Sequence, residues 1–508
     1  MTLFSFFRRP KFHRVVAILL STLITCRVLM MVAFPHTDSS EARYAEISRK
    51  MVETGDWLTP QFDYGVPFWA KPPLSMWMSA LGMEFFGVNE FGSRIFIFLA
   101  AMGILLLVVR VVRSDSDATT GLLAAMFLMG MPLFFYCSAA VMTDLALALG
   151  TTLSMVAFRI MVREGSRVWG HLFFIGLAIG LLSKGPLALV ITLPPVVGWM
   201  ILTRSWRKVC LSLPWISGTL LMLVLSVPWY IAAEANTPGF LNYFIIGEHW
   251  KRFVIRGWQG DLYGNAHSEV PGTIWAYLLM VTFPWCLGFL AVPFRKWKSA
   301  KGWAMADEGR GLYWVLWALW PIVFFTPSRN IIATYPLPAL PAIAILLAGL
   351  VTPRAGRPFN WKRFDPFHPA IVGTGIAAVL LATLGTLLTP QLAPKRTERE
   401  LVQTFMDDCE DDDRLLYFGI RRYSAEFYSE GKAEHTDSPT VLVEKLEAPG
   451  RLFIATTPRE FATLPPAVQR RFMQLTHWKD KRVNLYLERG DILPMTGIDP
   501  AQIYPIGS

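Results

Sequence analysis

Over most of this chain the apolar residues run in blocks rather than alternating with polar ones. Stretches of about 20 apolar residues, enough to cross a hydrocarbon layer of roughly 30 Å as a helix, recur from residue 14 to residue 388 and then stop. Spans are read near 14–34, 94–112, 119–137, 142–162, 170–183, 187–203, 211–233, 273–294, 311–326, 336–351 and 369–388, roughly eleven crossings by hydropathy. Beyond about residue 395 the pattern shortens. Leu415–Phe418, Val441–Val443, Leu452–Ala455 and Val483–Leu487 read as strands, and Tyr423–Tyr428 and Pro465–Phe472 as helices. The expected architecture is an all-α polytopic membrane protein over residues 1–390, followed by a small soluble α/β domain over residues 391–508.

Two loops on one side are long, residues 35–93 and 234–272, while the turns near 138–141, 184–186 and 327–335 are tight and carry isolated polar residues. Within the first long loop, Ser40 to Trp57 has an amphipathic helical pattern closed by Gly55. Pro73 to Phe86 is apolar but short for a span, and is expected along or partly within the membrane surface.

Composition agrees with a lipid environment, with 53% hydrophobic and 17% charged residues. The net charge of +10 would suit nucleic acid, but the basic residues sit between spans. Arg8, Arg9, Lys11 and Arg14 precede the first span; Arg110 with Arg113, Arg163 with Arg167, Arg204 to Lys208, Arg295 to Lys301 and Arg354 to Arg363 mark alternate loops. That alternation puts the N-terminus in the cytoplasm, and the long loops and the C-terminal domain on the periplasmic or extracellular side of an inner membrane, and excludes a nucleic-acid partner. The first span lacks a small-residue cleavage site and reads as an uncleaved anchor. Cys26, Cys137, Cys210 and Cys286 fall in or beside spans, leaving Cys409 alone in the tail, so no disulfide framework is expected.

The candidate chemistry gathers on the outer side. Asp38-Ser39-Ser40-Glu41-Ala42-Arg43-Tyr44 places two carboxylates and an arginine where the chain leaves the first span; the same spacing also suits a capping box. Lys71 lies among aromatics and prolines, where a lysine can also simply snorkel to the head groups. Asp144 stands at the outer end of an apolar span, where a carboxylate is costly unless paired or hydrated. Lys184 occupies a hairpin turn, Glu248, His249 and Arg252 follow one another in the second loop, and Arg329 and Tyr335 flank the last tight turn. Carboxylates, a basic cluster and aromatic walls on one membrane face suit transfer from a lipid-phosphate carrier. A nucleotide-sugar enzyme would show a large cytoplasmic domain, which the layout lacks.

At these residues the sequence resembles the GT-C fold glycosyltransferases of family 39, the bacterial lipid A aminoarabinose transferases and the protein O-mannosyltransferases. The resemblance spans residues 14–345 and rests on Glu41-Ala42-Arg43-Tyr44-Ala45-Glu46-Ile47, Gly55-Asp56-Trp57, Lys71-Pro72, Phe91-Gly92-Ser93-Arg94, Thr143-Asp144, Lys184-Gly185, Pro228-Trp229, Glu248-His249 with Arg252, and Thr334-Tyr335. It implies a polyprenyl-phosphate-linked sugar as donor, a hexosyl or pentosyl transfer with inversion, and a periplasmic cavity. Arg43, Lys71, Arg252 and Tyr335 would hold the donor phosphate. Asp144 and Lys184 would line the reaction cavity, with Tyr44, Glu248, His249 and Arg329 among its walls. The base would be Asp38 or Glu41, because Ser40 stands where those enzymes carry aspartate. Ala70 replaces their glutamate before Lys-Pro, so no metal cofactor is expected to be required.

The acceptor class stays open among lipid A, an envelope glycan and a protein. The alternative from another class is a transporter or flippase of lipid-linked saccharides. Such proteins place ionisable groups near the bilayer midplane and carry inverted repeats. Neither feature is clear here, and Arg27 alone leans that way.

Overall fold

The computed structural model describes residues 9–38, 40–264, 267–287, 297–351, 375–385, 396–410, 412–475 and 483–488. The chain divides into two compact units, Met1–Met31 with Lys50–Thr386, and Val32–Arg49 with Leu387–Ser508. The second unit thus takes in Val32–Arg49, which the sequence places in the first outer loop. Of the basic loop residues, Arg8, Arg295, Lys296, Arg354, Arg357, Lys362 and Arg363 lie outside the described residues.

The first unit is helical. Among the described residues, four helices are long and apolar enough to cross a membrane: Phe12–Ala33, Glu90–Asp115, Thr143–Glu164 and Trp215–Asn236. Five shorter apolar helices accompany them, Ala118–Met129, Leu187–Leu202, Thr273–Thr282, Leu337–Leu350 and Gly375–Gly385. The protein is a polytopic helical membrane protein; against the roughly eleven crossings read from hydropathy, the described residues hold four long apolar helices and a set of shorter ones. Turns inside apolar runs account for much of the difference. Pro132 opens a separate short helix after Gly130, and the expected span near 170–183 is the helix Arg167–Lys184, which has basic residues at both ends.

Local signals set several helix boundaries. Asn89 accepts a hydrogen bond from the Gly92 N–H, Asp117 accepts from Thr119 and Thr120, and Gly165 closes the Thr143–Glu164 helix in the left-handed conformation. That helix is the buried centre of the unit. It packs against Arg167–Lys184 at glycines, because a Cβ on Gly150 would lie 2.6 Å from the Gly176 carbonyl oxygen and 2.7 Å from the Gly180 nitrogen. Van der Waals packing of close backbones is the main attraction available between helices in lipid. The Ser154 hydroxyl adds a hydrogen bond of 2.9 Å to the Phe173 carbonyl across the same interface.

In the first long loop, the helix Ser40–Thr54 matches the amphipathic pattern, and the helix Leu74–Phe86 matches the short apolar stretch. Between them β1 (Gln61–Asp63) and β2 (Val66–Pro67) pair antiparallel. The Lys50 ammonium donates to the Phe62 carbonyl at 3.0 Å, fixing this hairpin to the preceding helix. Arg27 is buried and donates to the Tyr136 carbonyl at 2.7 Å, a structural use for the one ionisable residue inside the first span.

The C-terminal part of the second unit is an α/β domain. Strands β3 (Arg414–Phe418), β4 (Ala433–Thr436), β5 (Leu452–Thr456), β6 (Phe472–Gln474) and β7 (Asn484–Glu488) form one sheet in the order β4-β3-β5-β7-β6. β3 runs parallel to β4 and β5, and β7 antiparallel to β5 and β6. Two expectations are corrected. Val441–Val443 lies in the helix Pro439–Glu447, where Pro439 takes the first turn and Leu442, Val443 and Leu446 are buried at helical spacing. Of Pro465–Phe472, only Pro466–Gln469 is helical, and Phe472 begins β6.

The glycine contact generates a prediction. Gly150→Leu forces the two central helices apart and lowers stability by about 1–3 kcal/mol or more, read as a fall in the unfolding temperature of the purified protein; Gly165→Asn, at a left-handed cap with open space around it, leaves that temperature nearly unchanged.

Candidate active site

The turn Lys184-Gly185-Pro186 joins the helices Arg167–Lys184 and Leu187–Leu202. Gly185 has a φ of +59°, and the Phe244 ring lies 2.6 Å from where its Cβ would stand, so both backbone and space demand glycine. The tight turn leaves Lys184 at the helix end. Its ammonium lies 2.8 Å from Asp144 Oδ1, and each side chain is 8% exposed. The Thr334 hydroxyl donates to the same oxygen at 2.8 Å, and the Tyr335 ring centroid is 5.2 Å from the Lys184 nitrogen. Asp144 is therefore paired, which meets the condition for a buried carboxylate at a membrane level.

The second long loop contains a π-helix, Asn242–Lys251. Its widened turn brings residues five apart together, so the Tyr243 hydroxyl lies 3.3 Å from Glu248 Oε1 and His249 Nδ1 lies 2.8 Å from the Phe244 carbonyl oxygen. Glu248 is the centre of this segment. Its carboxylate receives the Lys71 ammonium at 2.9 Å and an Arg252 guanidinium nitrogen at 2.9 Å from each oxygen. Arg252 also lies 3.3 Å from Asp261. Lys71 is steadied by the Ala70 carbonyl at 2.7 Å, and the Tyr263 hydroxyl ties the two loops by donating to the Pro67 carbonyl at 2.8 Å and accepting from the Trp69 N–H at 3.0 Å.

Glu248 is 3% exposed in its side chain, whereas Lys71 and Arg252 are 20% and 21% exposed. Burial alone would raise the Glu248 carboxyl; the charges of Lys71 and Arg252, with their hydrogen bonds, outweigh it and hold the group at about 2. Burial opposes the charge on Arg252, but Glu248, Asp261 and the Tyr335 phenol raise its pKa further. His249 bridges the two clusters, with Nε2 3.0 Å from the Lys184 carbonyl oxygen. Burial lowers its pKa, against the hydrogen bonds to those two carbonyls, which raise it.

The carboxylates of the first loop belong to the other unit. Asp38 accepts from the Ser424 N–H at 3.1 Å and from the Ser424 hydroxyl, while its own N–H donates to the Arg396 carbonyl at 3.0 Å. Burial raises the Asp38 carboxyl, against the opposing effects of Ser424 and Arg422. Glu41 reaches back to Thr37, 3.4 Å from both its N–H and its hydroxyl, and lies 3.7 Å from His36 Nδ1. The Arg43 guanidinium sits over the rings of Tyr44 and Tyr423, at 5.4 and 5.9 Å from their centroids.

Of the residues singled out in the sequence, the first unit gathers Lys71, Glu248 and Arg252 in one network and Asp144, Lys184 and Tyr335 in another, with His249 between them. Arg329 joins neither; it is exposed, and its carbonyl accepts from the Glu269 N–H at 2.8 Å. Sequence reasoning missed Asp261 and Tyr263, whose spacing from their partners carries no periodic signal. Among the described residues, no three His, Cys, Asp or Glu side chains are grouped as metal ligands.

Comparison with known proteins follows this geometry. Residues 14–244 match the model of the dolichyl-phosphate-mannose-protein mannosyltransferase family. An undecaprenyl phosphate-alpha-4-amino-4-deoxy-L-arabinose arabinosyl transferase of Edwardsiella ictaluri is 31% identical over 352 residues, covering 67% of this chain and 60% of that relative. Its counterpart in Shewanella sediminis is 31% identical over 359 residues, 68% of this chain and 62% of the relative. The chain thus spans about three fifths of the length of these curated relatives. Among solved structures, ArnT from Cupriavidus metallidurans bound to undecaprenyl phosphate superposes with a TM-score of 0.77 at 17% identity, over 94% of this chain and 98% of that one. The apo oligosaccharyltransferase of Archaeoglobus fulgidus gives 0.50 at 13% identity, over 89% of this chain and 70% of that one. This chain is a polytopic GT-C fold protein that resembles the ArnT aminoarabinose transferases and the protein mannosyltransferases.

Proposed function

We propose that the protein is an integral-membrane glycosyltransferase that moves a sugar from a polyprenyl-phosphate donor to an envelope acceptor, with inversion, on the outer face of the inner membrane. One observation carries this reading: Lys71 and Arg252, from two separate loops, converge on Glu248 while each keeps about a fifth of its side chain exposed. Planar guanidinium, ammonium and phenol are donors suited to phosphate oxygens. The relatives named for undecaprenyl-phosphate-linked aminoarabinose support a donor of that class. In the step proposed, an acceptor oxygen forms a bond to the anomeric carbon as the bond from that carbon to the phosphate oxygen breaks. The electron pair leaves on the phosphate, and Lys71, Arg252 and Tyr335 stabilise that charge.

The acceptor's proton goes to a carboxylate of the Asp38–Glu41 segment. Asp38 and Glu41 are the two candidates for that base, Asp38 held by Ser424 and Glu41 by Thr37 and His36. Asp144 and Lys184 line the cavity, no metal is required, and the topology has roughly eleven crossings with a cytoplasmic N-terminus and a periplasmic C-terminal domain, following the alternation of basic loops. Lipid A, an envelope glycan and a protein are the acceptor classes considered.

Mass spectrometry of lipid A, envelope glycans and envelope proteins tests this reading. A strain lacking the gene loses one sugar mass, and a strain carrying Arg252→Ala loses about 99% or more of it, since removing one transition-state donor costs roughly 100- to 1000-fold in rate. Loss in the deletion strain with full retention in Arg252→Ala and Glu41→Gln strains would favour transport of a lipid-linked saccharide instead.

The Asp144–Lys184 pair gives a separate expectation. Lys184→Met leaves a buried carboxylate without its cation and destabilises by about 3–5 kcal/mol. Adding Asp144→Leu restores most of the loss in unfolding temperature but none of the transfer activity; restored activity would reduce the pair to a packing device.

A further inference from the structure

The cation cluster that faces the proposed donor is not a bare positive site. Lys71 and Arg252 stand against two carboxylates, Glu248 between them and Asp261 on the far side of Arg252. Glu248 is nearly out of water and takes three charge-assisted hydrogen bonds of 2.9 Å, while the cations keep about a fifth of their side-chain surface open. A cradle built only to grip phosphate would leave these cations without a buried anion. Burying a carboxylate here carries a desolvation cost, and its negative charge acts directly on both cations, which a neutral residue at 248 would not do.

The chemistry of the reaction supplies a reason, and it rests on the donor reading above. A sugar linked through phosphate to a lipid is a phosphodiester with one negative charge. Once the sugar leaves, the lipid phosphate is a monoester whose second charge develops with a pKa near 6, so a site of strong net positive charge would hold product more tightly than substrate. We propose that Glu248 is a counter-charge that sets the discrimination between diester donor and monoester product, offsetting Lys71 and Arg252 enough for the lipid phosphate to depart. It is a positioning residue acting through those two cations, with Asp261 as its weaker second.

The test measures binding of two probes to the purified full-length protein in lipid nanodiscs: undecaprenyl phosphate, and its methyl ester as a singly charged diester. Glu248→Gln keeps the shape and removes the charge. It is expected to bind undecaprenyl phosphate about tenfold more tightly than the unsubstituted protein, and the methyl ester by a smaller factor, as befits a close charge removed from a partly desolvated site. Asp261→Asn shifts both in the same direction by less. A purely structural Glu248 would give weaker binding of both probes on substitution, and that result, or equal binding, overturns the proposal. Should Glu248→Gln fail to fold, Asp261→Asn decides alone: monoester-selective tightening supports the counter-charge, and no tightening overturns it. Absence of any binding of either probe to the unsubstituted protein would overturn the donor reading itself, and this proposal with it.

Discussion

Glu248 stands almost out of water between an ammonium from one outer loop and a guanidinium four residues along its own chain. An ionised carboxylate there is tenable only while its partners stay in place, because a buried charge that loses its cation is strongly destabilising. The constraint acts on everything around it. Lys71 is aligned by the Ala70 carbonyl, Tyr263 fastens the first loop to the second, and the π-helix offers both Tyr243 and Glu248 to the same side. Two loops far apart in sequence are thereby fixed to one another by charge.

The helical framework sets where those loops begin. The close approach at Gly150, Gly176 and Gly180 brings Thr143–Glu164 and Arg167–Lys184 together along their length. Asp144, near the start of one, then meets Lys184, at the end of the other. His249 carries this arrangement onward by contacting the Lys184 carbonyl at the helix terminus, where backbone acceptors have no partner within the helix. The chain from glycine packing to ion pair to imidazole to π-helix is continuous. A displacement of the central helices would therefore be felt at Glu248 through contacts already described.

Much of this was legible in the sequence because lipid is a strict solvent. Asp144 and Lys184 stood out as ionisable groups at the ends of apolar runs, and they prove to be partners. The tightness of Lys184-Gly185-Pro186 was readable from its residue types alone. Other features depend on tertiary contacts that periodicity does not carry. Asp261 is a lone acid in a polar turn until folding sets it against Arg252. The capping alternative for Asp38 and Glu41 saw the right chemistry with different partners: Glu41 reaches back to Thr37, whereas Asp38 is held by Ser424, 386 residues later. Val441–Val443 misled because three apolar residues fit a strand as well as a helix, and the deciding signals were Pro439 before them and Leu446 after them.

The two departures from the pattern of the resembled transferases fall differently on this network. At residue 70, the contribution to Lys71 is made by the backbone carbonyl, 2.7 Å from the ammonium, so the side chain can change from glutamate to alanine without loosening the lysine. The Lys71–Glu248–Arg252 arrangement needs nothing further from that position. At residue 40, by contrast, replacing aspartate with serine removes a carboxylate from the segment expected to take up the acceptor's proton, and no backbone group substitutes for a base. The donor half of the proposed reaction is thus insulated from its departure, while the acceptor half is exposed to its own.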